Sequence, residues 1–324
     1  MTKAVRIHQP GGPEAMRWEE IPDPIPGPGE VVVRHVAIGV NYIDVYHRTG
    51  LYPTALPTVL GLEGAGTVEA IGPGVAGLAV GTRVAYASPP IGAYAERRAM
   101  PADRLVPLPD FIPETQAAAM MLKGMTAQYL LRRTFPVAAG DAVLVHAAAG
   151  GVGLLLCQWA RHLGATVIGT VGSDAKAAIA AAHGCHHPIV YSREDFVART
   201  RDITGGAGVA VVYDSVGQTT FLGSLDCLRP MGMLVSFGQS SGSVTSFDPG
   251  LLAAKGSLFL TRPSLMTYTA KRDDLLASAA ELFAAVDSGA VTVEVARTYP
   301  LAEAAEAHRD LEGRRTTGSS VLLA

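Results

Sequence analysis

Apolar and polar positions change their period near Pro113. Before that point short β-branched runs alternate with proline and glycine clusters. Glu30 to Gly39 is one such run, and Ile21-Pro-Asp-Pro-Ile-Pro-Gly-Pro-Gly is a stiff, turn-rich connection. Gly61 to Gly81 carries a glycine every few residues, as tight β-turns require. This region predicts an irregular, mostly β structure. Thr115 to Arg133 is rich in Ala, Met and Leu and free of proline, which predicts a helix. Strand and helix patterns then alternate with short connections. Strands are predicted at Asp141–Ala147, Thr166–Val171, Ile189–Tyr191, Val209–Tyr213 and Met233–Phe237. Helices fall between them at Val152–Leu163, Asp174–His183, Glu194–Thr204 and Thr219–Leu228, the first three ended by glycines. Such alternation predicts βαβ units and a parallel sheet covered on both faces, and right-handed crossovers leave a doubly wound architecture.

The order breaks down towards the C-terminus. Leu275, Leu276, Ala279, Leu282, Phe283 and Val286 share one helical face. Val291–Tyr299 predicts a strand, Leu301–Glu312 a helix and Ser319–Leu323 a last strand. The pattern leaves open whether these extend the parallel sheet or return to the β-rich N-terminal region. No internal repeat is present.

Composition narrows the class. The 324 residues suggest about two domains, and 48% hydrophobic against 17% charged residues excludes a disordered chain. A formal charge of −3 provides no global basic field for nucleic acid or anionic lipid. Cys157, Cys185 and Cys227 are odd in number, far apart and without a CxxC, so reduced buried thiols are expected. The N-terminal MTKAVRIHQPGGPE lacks an apolar region behind its basic residues. The longest apolar run, Ala147 to Cys157, is short of the roughly 20 residues of a membrane span. A soluble, cytoplasmic protein is expected.

The strongest chemical signal is Ala148-Ala-Gly150-Gly151-Val152-Gly153, between a predicted strand and helix. It is a GxGxxG with alanine in the first slot. Gly150 lets the backbone approach a pyrophosphate, Gly153 permits close helix–strand packing, and the helix N-terminus stabilises an anion. A dinucleotide is expected here. NAD-preferring sites place an acid at the end of the next strand, where this chain has Val171, followed by Gly172, Ser173, Asp174 and Lys176. A turn rich in donors, with a lysine in reach, suits the adenosine 2′-phosphate of NADPH. Asp174 is expected to cap the following helix; a service to NAD is the competing reading, as is an ordinary solvated Lys176.

Several stretches together resemble one family. Asn41-Tyr-Ile-Asp-Val-Tyr-His-Arg-Thr-Gly50-Leu-Tyr-Pro53, Gly61-Leu-Glu-Gly-Ala-Gly66, Val145 to Gly153, Val212-Tyr-Asp-Ser-Val-Gly217 and Leu234-Val-Ser-Phe-Gly238 are similar to the NADPH:quinone oxidoreductases. These form the zeta-crystallin-like branch of the medium-chain dehydrogenase/reductase superfamily. The resemblance runs nearly end to end, through Thr261-Arg-Pro-Ser264 and the closing Arg314…Gly318-Ser-Ser segment. It implies a Rossmann NADPH-binding domain at residues 125–262, inserted into a mostly β GroES-like catalytic domain formed by 1–124 and 263–324. It also implies a homodimer paired through an edge strand near Ser257–Thr261, a run apolar enough to need covering.

In the zinc alcohol dehydrogenases of the same superfamily, ligands would stand at Asn41, Leu62 and near Lys123. Those residue types do not supply the coordination zinc prefers. The nine histidines show no ligand spacing beyond the adjacent pair His186-His187, so no metal is expected. Without a Lewis acid the acceptor has to be electrophilic by itself, as a quinone or an α,β-unsaturated carbonyl is. The resemblance and the chemistry place Asn41, Tyr46 and Tyr52 as donors to the developing oxyanion, the tyrosines also offering a flat wall to a ring. That the tyrosines merely close a hydrophobic edge is an equal alternative. Asp44 is expected to cap a helix, and Lys123 to form a salt bridge or touch the cofactor. Further cofactor contacts implied by matching motif are Thr126, Gly151, Val152, Gly172, Ser173, Lys176, Tyr191, Ser215, Phe237, Gly238, Ser240, Arg262 and Arg314. The resulting expectation is zinc-free, NADPH-dependent hydride transfer to a quinone. The alternatives are an enone or alkenal reductase using the same pocket, and an NADPH-binding structural or RNA-binding protein with little turnover.

Overall fold

The structure is a computed structural model describing all residues, Met1–Ala324. In chain order its first elements are β1 (Thr2–Ile7), β2 (Met16–Ile21), β3 (Glu30–Gly39), α1 (Tyr42–Thr49), β4 (Thr58–Val59), β5 (Glu63–Ile71), β6 (Arg83–Ala87), β7 (Arg97–Pro101), β8 (Val106–Pro107) and α2 (Glu114–Tyr129). Next come β9 (Ala142–Val145), α3 (Gly151–His162), β10 (Thr166–Val171), α4 (Asp174–Ala182), β11 (His187–Val190), α5 (Phe196–Ile203), β12 (Val209–Asp214), α6 (Phe221–Asp226) and β13 (Leu228–Ser236). The chain ends with α7 (Gly250–Ala254), β14 (Phe259–Thr261), α8 (Leu265–Tyr268), α9 (Arg272–Asp287), β15 (Val295–Pro300), α10 (Ala304–Glu312) and β16 (Ser319–Leu323). No helix is long and apolar enough to cross a membrane.

Two compact units result. The first comprises Met1–Lys123, Thr269–Ala280 and Val293–Ala324, and the second Gly124–Tyr268 and Glu281–Thr292. Within the second unit Tyr268 of α8 stacks on Tyr129 of α2, with ring centroids 4.4 Å apart.

The second unit is built on a six-stranded sheet in the order β11-β10-β9-β12-β13-β14, every pairing parallel. The order reverses at β9, from which the chain winds outward first to β10 and β11 and then to β12, β13 and β14. Leu144, Ile168, Val212 and Leu234 stand opposite one another across four strands and are fully buried. At roughly 1.5–3 kcal/mol for each large apolar side chain removed from water, such rows stabilise the sheet and set its register. The sheet is doubly wound, as the alternating pattern predicts.

The first unit is mostly β. A seven-stranded sheet runs β15-β16-β3-β5-β6-β8 with β7 also on β3, and a smaller sheet runs β2-β1-β4. The C-terminal elements return here. β16 pairs antiparallel to β3, Leu322 opposite Ile38, and both side chains enter one core with Val5, Ile7, Val33, Tyr86 and Tyr94. The apolar pattern does not single out α1, which is eight residues long. It forms because Asn41 and Asp44 make a capping box at its start and Gly50 adopts φ 80° at its end.

Candidate active site

Asn41 leaves β3 and opens α1. Its side chain accepts the N–H of Asp44, while its own backbone N–H donates to Asp44 Oδ2 at 2.9 Å. The Asn41 Nδ2 donates to Glu63 Oε2 at 2.8 Å. Glu63 is fully buried and takes two more donors: the Leu122 N–H on Oε1 at 2.7 Å and the Lys123 ammonium on Oε2 at 3.3 Å. Lys123 is thus salt-bridged. Gly39 makes room for this arrangement, since a Cβ there would collide with the Glu63 carboxylate and the Ala118 carbonyl.

Tyr46 and Tyr52 meet edge to face, with ring centroids 5.2 Å apart, and Tyr42 joins Tyr46 at 5.6 Å. The Tyr52 N–H donates to the Tyr46 carbonyl at 3.0 Å, which holds the segment after α1 against the helix. The structure therefore brings Asn41, Tyr46 and Tyr52 together around one short helix.

Residues without a role in the sequence argument complete this region. Tyr94 donates to Asp44 Oδ2 at 3.0 Å and meets His308 Nε2 at 3.0 Å. Arg48, itself buried, donates to His308 Nδ1 at 2.9 Å and forms a bidentate pair with Glu312 at 2.8 Å on each oxygen. A guanidinium is always a donor, so Nδ1 is the accepting nitrogen and Nε2 carries the hydrogen that goes to Tyr94. Burial and the neighbouring Arg48 push the His308 imidazole down to about 3, so it stays neutral. Burial raises Asp44 to about 7, against the pull of its bonds from Asn41 and Tyr94. Nothing in the spacing of residues 44, 94 and 308 signals this contact.

In the second unit the expected cofactor residues follow the carboxyl edge of the parallel sheet, where open α/β sheets bind ligands. Gly150 is the N-cap of α3, with no side-chain cap, so the first N–H groups of the helix are left for an anion. A Cβ on Gly153 would collide with the Ala147 carbonyl oxygen, which fixes the tight turn Gly151-Val152-Gly153 against β9. The turn also carries strain that the motif does not signal: Ala147 has φ 53°, a left-handed conformation costly for a residue with a Cβ.

At the end of β10, Ser173 and not Asp174 caps α4, its hydroxyl accepting the Lys176 N–H at 3.3 Å. Asp174 sits in the first turn and is bound by Arg193 at 2.6 and 2.7 Å. Serine wins the cap because its short hydroxyl reaches the third N–H while the carboxylate finds a cation outside. Tyr191 lies with its hydroxyl against Gly172. Gly172, Ser173, Lys176 and Tyr191 are therefore neighbours, and Arg193, which the sequence argument overlooks, is the cation that pairs with Asp174. The Asp174 charge is neutralised and Val171 is apolar, so the edge suits a phosphate better than a ribose hydroxyl.

The remaining residues gather at the ends of β12, β13 and β14. The Phe237 N–H donates to the Asp214 carbonyl at 2.8 Å, and the Ser240 N–H to the Ser215 carbonyl at 3.2 Å. Arg262 donates to the Ser236 carbonyl at 2.9 Å. Gly238, Arg262, Ser236, Gly217 and Phe221 are among the residues lining a cavity of about 240 Å³. Asp214 organises the loop: its Oδ1 takes the N–H groups of Val216 and Gly217 at 2.7 and 3.0 Å. Behind it Ser224 links Asp214 to His146, which reaches Thr170 at 2.9 Å. This chain ties β9, β10 and β12 together beneath the edge. Asp214 lies within a motif already singled out, but only the contacts reveal its part. Thr126 is buried on α2 in this unit, whereas Arg314 belongs to the first unit, after α10, with φ 56°.

Zinc does not fit the residues that stand where it would be held. Leu62 is apolar and buried, Asn41 is spent on Glu63 and Asp44, and Lys123 is a cation in an ion pair. No three or more His, Cys, Asp or Glu side chains are grouped to hold a metal ion.

Comparison with known proteins agrees with this architecture. Residues 27–110 match the family model described as alcohol dehydrogenase GroES-like domain, and residues 151–281 match that of zinc-binding dehydrogenase. The chain is 51% identical to a quinone oxidoreductase of Pseudomonas aeruginosa, with all of both chains covered. It is 49% identical to a 2-haloacrylate reductase of a Burkholderia species, over 100% of this chain and 99% of the other. The structure of Escherichia coli quinone oxidoreductase complexed with NADPH superposes with a TM-score of 0.98 at 47% identity, covering 99% of this chain and all of the other. With near-identical folds and about half the residues shared from end to end, the chain belongs to the quinone oxidoreductase family of the medium-chain dehydrogenases/reductases.

Proposed function

We propose that this protein is an NADPH-dependent quinone oxidoreductase that works without zinc. The observation that carries the reading is the end of β10, where Ser173, Lys176, Tyr191 and Arg193 surround a turn whose one carboxylate is already paired. Gly150, Gly151, Val152 and Gly153 would hold the pyrophosphate through backbone N–H groups, and Gly172, Ser173, Lys176 and Tyr191 the 2′-phosphate. Ser215, Phe237, Gly238, Ser240, Arg262, Thr126 and Arg314 would hold the rest of the cofactor. Bound NADPH supplies a hydride, two electrons with one proton, to an electron-poor acceptor.

The side chains of the first unit act on the charge this creates. Reduction of a quinone leaves an oxyanion on the acceptor, which one further proton from solvent converts to the hydroquinone. The second hydrogen of Asn41 Nδ2 and the hydroxyls of Tyr46 and Tyr52 donate to that oxygen, and the tyrosine rings exclude water from one side. Donors already aligned before reaction need little reorganisation at the transition state.

Anaerobic NADPH oxidation with 1,4-naphthoquinone, run beside NADH and a simple enone on metal-free protein, tests the reading. Quinone-dependent oxidation preferring NADPH is the expected result. Turnover with the enone alone would transfer the assignment to a conjugated double-bond reductase, the reaction class suggested by the name of the Burkholderia relative. Tight NADPH binding without turnover would leave a binding protein.

Two coarser expectations belong to the same reading. β14 is a short edge strand with Phe259 56% exposed, which supports a homodimer paired through that edge. Light scattering on the eluting protein should return twice the chain mass. A cytoplasmic location belongs to the same reading.

A further inference from the structure

The cluster around Asn41 contains more acid than base. Asp44 and Glu63 are both fully buried, and a single ammonium, Lys123, lies among them. Every other group facing Asp44 is unable to balance its charge. Tyr94 donates as a neutral phenol whose ionisation burial pushes well up. His308, behind Tyr94 on α10, is held neutral by burial and by the neighbouring Arg48. Arg48, on the same helix as Asp44, is matched by the two oxygens of Glu312. Fully ionised, the Asp44–Glu63–Lys123 cluster would carry one uncompensated negative charge in the buried interior.

Asp44 shows where a proton would go. Its Oδ2 takes both available donors, Asn41 N–H and Tyr94 O–H, while its buried Oδ1 has no hydrogen-bond partner. A bare carboxylate oxygen is costly to bury, and protonation at Oδ1 removes the charge without breaking either bond at Oδ2. Asn41 is joined to both acids, by its backbone N–H to Asp44 and by its amide to Glu63. The charge of the cluster is therefore felt at the Asn41 amide.

We propose that Asp44 and Lys123 are positioning residues that keep the buried cluster behind Asn41 at zero net charge, the state in which the Asn41 amide stabilises an oxyanion on a quinone or conjugated carbonyl acceptor. The inference rests on the role proposed above for Asn41. An added negative charge a few ångströms away opposes the developing oxyanion, and low polarity amplifies the effect. Rising pH that ionises Asp44, or loss of Lys123, has the same consequence.

The test is kcat against pH with 1,4-naphthoquinone at saturating NADPH, for wild type, Asp44→Asn, Lys123→Met and Glu63→Gln/Lys123→Met. Wild-type kcat should fall about tenfold, with one-proton steepness, as pH rises through about 7. In Asp44→Asn that limb should disappear. Lys123→Met should lower kcat at least about tenfold with the NADPH KM little changed, and removing the Glu63 charge as well should restore most of the loss. A limb that persists in Asp44→Asn, or a double variant as slow as Lys123→Met, would overturn the proposal. If Lys123→Met does not fold, the Asp44→Asn profile decides alone. Infrared difference spectra at pH 6 separate the two layers of argument. A protonated carboxyl band present in wild type and absent in Asp44→Asn supports the neutral cluster even for a protein that does not reduce quinones. Its absence from wild type overturns it even for one that does.

Discussion

On the function proposed above, the two units meet an anionic partner in opposite ways. The second does so with backbone: glycines, an uncapped helix N-terminus and loops tied by main-chain bonds at the carboxyl edge of a parallel sheet. The first does so with buried side chains, Asn41, Asp44, Glu63, Tyr94, Lys123 and His308, drawn from five separate stretches of chain. Backbone dipoles carry no proton and keep their strength at any working pH. Buried side-chain charges are strong for the same reason that they are vulnerable, because low polarity magnifies both the match and the mismatch. A pyrophosphate of constant charge suits the backbone device, and an oxyanion that appears only during reaction suits the side-chain device.

The sharpest way to break the comparison is pH. The folded-state value of Asp44 is raised, to about 7 from 3.8, so the folded protein holds that proton more tightly than the unfolded chain. Stability from this group is therefore complete below about pH 4 and is lost as pH rises through about 7, a difference of about 4 kcal/mol. Asp44→Asn should gain on wild type in denaturant titrations between pH 5 and pH 8. A constant difference would show that Asp44 is not the buried acid inferred here. The backbone site offers no counterpart, and the affinity for NADH, which lacks the titrating 2′-phosphate, should change far less over the same range.

Next in size is an attack on the backbone device. Gly153→Val places side-chain atoms where the Ala147 carbonyl stands, and overpacking of that kind costs about 3 kcal/mol. A fluorescence titration should show NADPH affinity reduced at least about a hundredfold, with the melting temperature also lowered. Arg48→Met attacks the side-chain device, leaving His308 Nδ1 buried without its donor and Glu312 without its cation. It should cost about 2 kcal/mol in urea unfolding while NADPH affinity is preserved. The smallest effect is at the rim of β10. Lys176→Glu should raise the KM for NADPH about tenfold and that for NADH much less, about 1.4 kcal/mol at the 2′-phosphate. Equal losses with both cofactors would place Lys176 outside that site.

The same contrast governs what could be read before the structure was known. The pyrophosphate turn lies within six consecutive residues, so Ala148 to Gly153 announces itself in one dimension. Strand β10 is predicted at Thr166–Val171 and forms there, and β16 likewise at Ser319–Leu323, because each is a short apolar run with clear ends. The cap of α4 is misassigned by one residue, since Ser173 and Asp174 both have capping side chains and only Arg193, nineteen positions on, breaks the tie. Arg193 itself has no local mark as a cofactor-site cation. Helix α1 escapes the pattern because its eight residues include Tyr42, Ile43, Val45 and Tyr46, which suit a strand as well as a helix, and the capping box alone decides.

From sequence alone follow the parallel doubly wound sheet and the dinucleotide turn, since each depends on periodicity or on residue types close in the chain. Tertiary structure alone decides that β16 completes the β unit beside β3, that Lys123 pairs with Glu63, and that Asp44 meets Tyr94 and, through it, His308. The physical reason is range. Backbone conformation and amphipathic period are properties of neighbouring residues, whereas the charge on a buried group depends on every partner the fold packs around it, however distant in the chain.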